Sequence, residues 1–184
     1  MKLKIQQIVE DMARTKTLDK IRIQDICSAA GISMGNFYLY FSCKEEAIIY
    51  SYQYIDEKWK EERFENIQDP LTRVITIIDT HLATIADETL CFITQLYISQ
   101  LKLYDDYFFT RQRYLHQVLA DALHEAQNAG QITRQYEAAD LAVKLLNFSR
   151  GLVYNYCIQH KEEPEAWLRF AKGEQREYMQ LFMT

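Results

Sequence analysis

Apolar positions in this chain recur every three or four residues almost from end to end, the spacing of one buried face on successive helices. Alternating β-branched runs bounded by turn dipeptides are missing. Leu3, Ile5, Ile8, Val9 and Met12 mark a first helix over residues 3–14, Ile23, Ile26, Cys27 and Ala30 a second, and Phe37 and Phe41 a short third. A long fourth helix is predicted over 44–66, with Ala47, Ile48, Tyr50, Ser51, Tyr54, Ile55 and Trp59 inward and a length of roughly 33 Å. Asp69-Pro70 opens a fifth, which carries Leu71, Val74, Ile75, Ile78, Leu82 and Ile85. Residues 90–103 and 138–158 are apolar on most sides, while 107–129 keep one stripe and end at Gly130. Pro164 opens a last helix bearing Trp167, Phe170, Ala171, Tyr178, Leu181 and Phe182. The pattern reads as all-α, with about nine helices.

The densest local signals lie in residues 22–45. Gly31 stands where a helix C-terminus calls for positive φ, Ile32 is an apolar plug, and Ser33 is a good N-cap for a helix beginning at Met34. A helix, a glycine turn and a second short helix make the helix-turn-helix layout, whose second helix enters a DNA major groove. The first helix is expected to pack across the pair and complete a three-helix unit.

Residues 29–45, Ala-Ala-Gly-Ile-Ser-Met-Gly-Asn-Phe-Tyr-Leu-Tyr-Phe-Ser-Cys-Lys-Glu, resemble the signature of the TetR family of bacterial transcriptional regulators. That signature joins a Gly-(Val/Ile)-Ser turn, a short helix ending in Tyr-x-Tyr-Phe, and a Lys-Glu opening the next helix. The resemblance implies an N-terminal DNA-binding domain over 1–47 and a larger helical effector-binding and dimerisation domain over 48–184. It places DNA contacts at Gln24, Met34, Gly35, Asn36, Tyr38, Leu39, Tyr40 and Lys44. Ser33 and the N–H groups that open its helix, with the Tyr38 hydroxyl, suit phosphate. The amides of Asn36 and Gln24 can read an adenine edge, and Leu39 can meet a thymine methyl. Tyr40 can equally pack inward. Three positions depart from the family: Met34 stands where Lys or Arg is common, Arg22 where a capping Thr is, and 15–20 lack a Gly.

Gly31-Ile32-Ser33-Met34-Gly35 also fits G-x-S-x-G, the nucleophile elbow of Ser hydrolases. That elbow needs a buried strand before the Ser and an oxyanion loop upstream. Helix-patterned sequence precedes Ser33, and 32 residues are too few for the rest. No catalytic residue is therefore assigned and no enzyme is expected. An all-α interaction module with a vestigial helix-turn-helix stays open as an alternative.

Net charge is −5, which alone disfavours a DNA partner. The acidity is concentrated after residue 50: residues 1–50 hold seven Lys/Arg against six Asp/Glu. The expected non-specific affinity is modest and its salt dependence shallow. Cys27, Cys43, Cys91 and Cys157 have no paired spacing and read as reduced thiols. No run of 18 apolar residues occurs and the N-terminus turns polar early, so the expected location is cytoplasmic, with no membrane partner. No His/Cys/carboxylate spacing calls for a metal, and no cofactor is expected.

Polar or aromatic residues within apolar stretches are the candidates for an effector pocket: Trp59, His81, Gln95, Tyr97, Tyr114 and Asn147. The 22 Tyr and Phe residues fit an apolar or aromatic effector. The last two helices carry more apolar surface than one subunit is expected to hide. Leu145, Phe148, Leu152, Trp167, Phe170, Tyr178 and Leu181 are accordingly expected in a homodimer interface. Gly151, mid-helix at a cost of about 1 kcal/mol relative to Ala, points to close approach of another backbone. The combined expectation is a homodimeric repressor on a palindromic operator, released by a small effector.

Overall fold

The computed structural model describes residues 1–159 and 163–184, and all their side chains but those of Glu57 and Lys58. Among the described residues are nine α-helices: α1 (Lys2–Ala13), α2 (Ile23–Ala30), α3 (Met34–Tyr38), α4 (Lys44–Trp59), α5 (Pro70–Ala86), α6 (Leu90–Leu103), α7 (Tyr114–Asn128), α8 (Ala138–Gln159) and α9 (Pro164–Gln180). Short 3-10 turns lie at Leu18–Lys20, Phe64–Asn66 and Tyr107–Phe109. β-Type pairing among these residues is confined to one isolated bridge, Ile132 to Met183. None of the helices is long and apolar enough to cross a membrane.

The helices gather into two compact units that do not follow chain order: Met1–Ile55 with Glu88–Asp106, and Asp56–Asp87 with Tyr107–Thr184. In the first unit, α1 buries Ile5, Val9 and Ala13, one row at four-residue spacing. The inward row is thus turned from the expected one, leaving Leu3 exposed and Ile8 and Met12 half-buried. Gln6 joins it by donating from Nε2 to Ser51 Oγ at 2.9 Å. α6 belongs to this unit. Gln95 Oε1 accepts from Leu18 N–H at 2.9 Å, Thr89 Oγ1 donates to Arg14 O at 3.0 Å, and Lys102 pairs with Glu45 at 2.5 Å.

The second unit packs α7 against α5 and α8, and α9 against α5 and α8. Asp69 caps α5 by accepting from Thr72 N–H at 2.8 Å, with Pro70 at the first helical position. Val74, Ile77, Ile78 and Leu82 of α5 are sealed from solvent with Leu119 and Leu123 of α7 and Leu141 of α8. A polar thread runs through the core: Ser149 Oγ donates to Gln175 Oε1 at 2.9 Å, and Gln175 Nε2 to Leu145 O at 3.3 Å.

Two helices are shorter than the apolar pattern predicts. The fourth stops at Trp59 rather than 66, making it about 24 Å long. Trp59 and Phe64 are both buried yet five residues apart, about 140° around a continuous helix, so the chain must leave the helix to bury both. Tyr54, expected inward, is exposed, and Tyr52 and Asp56 are buried instead. The seventh starts at Tyr114 rather than Tyr107, for the same reason: Phe108 and Arg113, five apart, are both buried.

Candidate nucleic-acid interface

The turn between α2 and α3 is built from backbone bonds that its sequence dictates. Gly31 takes φ 69°, Ile32 N–H donates to Cys27 O at 3.0 Å, and Gly31 N–H to Ser28 O at 3.3 Å. That pair of bonds is the Schellman closure of a helix C-terminus. Ser33 then caps α3, its Oγ accepting from Asn36 N–H at 3.2 Å. Ser33 is therefore a cap within all-helical surroundings, and the strand that a hydrolase elbow requires before it is replaced by α2.

Phe37 is sealed inside, and Phe41 with it, their ring centroids 6.2 Å apart. Every other position from Ser33 to Tyr40 is exposed, Leu39 at 78% and Tyr40 at 38%. Gln24 on α2 is exposed as well. Four apolar or aromatic side chains, Met34, Tyr38, Leu39 and Tyr40, could not all stay outward on so short a stretch unless Phe37 and Phe41 anchored its other face.

The charges around this face are largely spoken for. Lys44 Nζ donates to Ile21 O at 2.7 Å and to Leu18 O, closing the loop before α2 onto the start of α4. Its first role is structural, where the sequence offered it as a cation for the groove. Lys4 Nζ donates to Ala30 O at 2.8 Å, a cation at the carbonyl end of α2. Lys2 sits 4.1 Å from the Tyr50 ring centroid, and Arg22 pairs with Asp25 at 2.9 Å.

The candidate effector residues fall in both units. Gln95 and Tyr97 belong to the first unit, and Gln95 is engaged with Leu18. Asn147 is exposed, accepting from Arg150 at 2.7 Å, and Tyr114 is half-buried at the start of α7. Trp59 and His81 do meet, edge to face at 5.7 Å between ring centroids. Within the same unit lies a pair that sequence reading missed: Arg113 donates to Asp56 through Nε and Nη2 at 2.8 and 2.7 Å. Both side chains are nearly sealed, 3% and 4% exposed, and Tyr107 O–H donates to Asp56 at 2.8 Å. Asp56 and Arg113 are 57 positions apart, so nothing local announces them.

His81 Nδ1 is buried without a hydrogen-bond partner among the described residues. Burial, helped by the Arg113 and Arg150 guanidiniums, lowers its pKa to about 3. The unfolded imidazole titrates at about 6.5, so between those values the unfolded chain binds more protons. The stabilisation from a neutral His81 is complete above pH 6.5 and is lost as pH falls towards 3. Urea unfolding at pH 7 and pH 5 is expected to show a loss of about 2 kcal/mol at the lower pH that His81→Phe does not share. Equal losses in both proteins would mean that His81 is not the titrating group.

The expected dimer residues divide. Leu145, Leu152 and Trp167 are buried within their own unit, Trp167 stacking on Tyr156 at 4.5 Å, so they are core and offer no surface. The packing of α8 between α7 and α9 hides more of its girth than its apolar run suggested. Phe148 and Tyr178 are half-buried and stack on each other at 4.3 Å. Phe170 and Leu181 are exposed, and Tyr154 and Ile158 of α8 join them as outward apolar residues. Gly151 and Gly173 are also exposed, and a Cβ added at either meets nothing within 4 Å.

No protein-family model matches the chain, and no curated protein matches it either. Solved structures do. A TetR transcription regulator from Haloarcula marismortui ATCC 43049 superimposes with a TM-score of 0.74 at 18% identity, covering 100% of this chain and 98% of that one. Thermus thermophilus FadR, a TetR-family transcriptional repressor in complex with lauroyl-CoA, gives 0.71 at 14% identity over 98% and 93% of the two chains. FadR from Bacillus subtilis in complex with stearoyl-CoA gives 0.65 at 17% identity over 94% and 96%. The chain has the fold of TetR-family transcriptional regulators over essentially its whole length.

Proposed function

We propose that this chain, which has the TetR-family fold, is a ligand-responsive, sequence-specific DNA-binding transcriptional regulator that works as a homodimeric repressor. The observation that carries the proposal is the face from Ser33 to Tyr40, exposed at every position but Phe37 and held by a turn of helix-turn-helix geometry. Residues 1–47 do the reading, and 48–184 hold the effector and the dimer contacts. Two copies related by a two-fold axis present their α3 helices to successive major grooves, about 34 Å apart on a palindromic operator.

The effector reading is supported by the Trp59–His81 contact and the unpartnered His81 Nδ1, an aromatic wall beside one polar atom. Two proteins of the same fold hold acyl-CoA molecules, whose chains are apolar. We assign a small apolar or aromatic effector to that unit, and α4 carries residues of both units, since the division falls between Ile55 and Asp56. An effector that binds one setting of α4 better than another shifts the head by that difference in affinity.

Asn36→Ala is expected to weaken binding to the selected operator by about tenfold or more, the worth of one bidentate amide–adenine pair. Tyr38→Phe removes a phosphate contact and weakens binding to all sequences alike. Gel shifts with both variants test the assignment, and unchanged binding by both would remove α3 as the reading element.

A further inference from the structure

Guanine is read in the major groove chiefly by Arg or Lys, adenine by Asn or Gln, and thymine by apolar contact with its methyl group. No Lys or Arg occurs between Arg22 and Lys44, so α2 from Ile23 onward, the turn and all of α3 carry no cation. Three of the flanking cations are engaged within the chain. Arg22 is paired with Asp25, Lys44 is bound to two backbone carbonyls, and Lys4 caps α2. Asp25, the one carboxylate on α2 or α3 and hence the group that could accept from cytosine, faces Arg22. The first unit as a whole is close to neutral, with eight Lys/Arg against nine Asp/Glu.

The exposed groups that remain sort cleanly. Gln24 and Asn36 are amides, Met34 and Leu39 are apolar, and Ser33, Tyr38 and Tyr40 are hydroxyls suited to phosphate. From this we infer that the operator half-site is A·T-rich at the positions α3 meets. Asn36 and Gln24 take adenine edges, and Leu39 and Met34 pack on thymine methyl groups. The inference rests on the DNA-binding reading above and names the chemistry of its partner. It follows from what the reading face lacks as much as from what it presents: a G·C pair in the core would find no bidentate donor for O6 and N7.

The test is selection of bound duplexes by the full-length protein from a random library, followed by replacement of each core thymine with uracil, which removes only the methyl group. The expected result is an A·T core in each half-site and a uracil penalty of about fourfold per contacted methyl. That penalty disappears in Leu39→Ala or Met34→Ala for the thymine each one meets. Selected half-sites with guanine in the core would overturn the inference while leaving the regulator intact. An A·T core with no uracil penalty, or with one that survives both substitutions, would overturn the assignment of Leu39 and Met34. A library with no enriched sequence at all would overturn the DNA-binding proposal itself, and the inference with it.

Discussion

Arg113→Met is expected to lower the unfolding free energy by about 3–5 kcal/mol, because it leaves the Asp56 carboxylate in the core without its guanidinium. Asp56→Leu is expected to cost a similar amount by stranding the opposite charge. Removing both together is expected to recover most of the loss. A buried pair spends much of its Coulombic attraction on desolvation, and apolar side chains of similar volume fill the same space without that cost. The difference between the double variant and the sum of the singles is the coupling, and two single losses of that size with most of the loss recovered put it at about 5 kcal/mol or more. Denaturant unfolding of the four proteins measures it. Single losses below about 1 kcal/mol that add in the double variant would mean that solvent reaches the pair and that it does not organise the unit.

The pair also marks where sequence reading stops. Gly31, Ser33, and the Phe37–Phe41 spacing were legible because each answers a local demand: positive φ, an unsatisfied N–H, one face of one turn. Asp69-Pro70 at the start of α5 and Gly130, which takes φ 72° after α7, are of the same kind. What escaped depends on partners far along the chain. The buried row of α1 includes the polar Gln6, whose partner Ser51 lies 45 positions away and leaves no mark in the helix's own apolar pattern. Lys44 looked like a free cation because its acceptors, Leu18 O and Ile21 O, come from a loop whose course no local signal predicts. The end of α4 and the start of α7 were missed because a continuous stripe says nothing of a buried residue five places out of step, as Phe64 and Arg113 are. Trp167 and Leu145 were assigned to a surface on hydrophobicity alone, which does not tell a subunit's core from its interface.

Gly151→Leu is expected to separate the proposed homodimer by about a hundredfold in association constant, roughly 3 kcal/mol, and to weaken binding to the proposed operator with it. Within a single subunit the same change is expected to be tolerated. Gly151 lies exposed in the middle of α8, where a Cβ meets nothing within 4 Å, and replacing glycine in a helix gains up to about 1 kcal/mol. The glycine therefore costs the isolated subunit stability for no internal packing reason. A second copy brought close over this face, where Tyr154, Ile158, Phe170 and Leu181 stand outward, supplies one. Gly173 on α9 has the same empty surroundings and gives a second, independent position for the same substitution. The expected signature is opposite in sign in two measurements: the thermal midpoint of dilute monomer is kept or raised, while sedimentation shows loss of dimer and gel shifts show loss of operator binding. Both variants sedimenting as dimers with undiminished operator affinity would move the two-fold interface off this face.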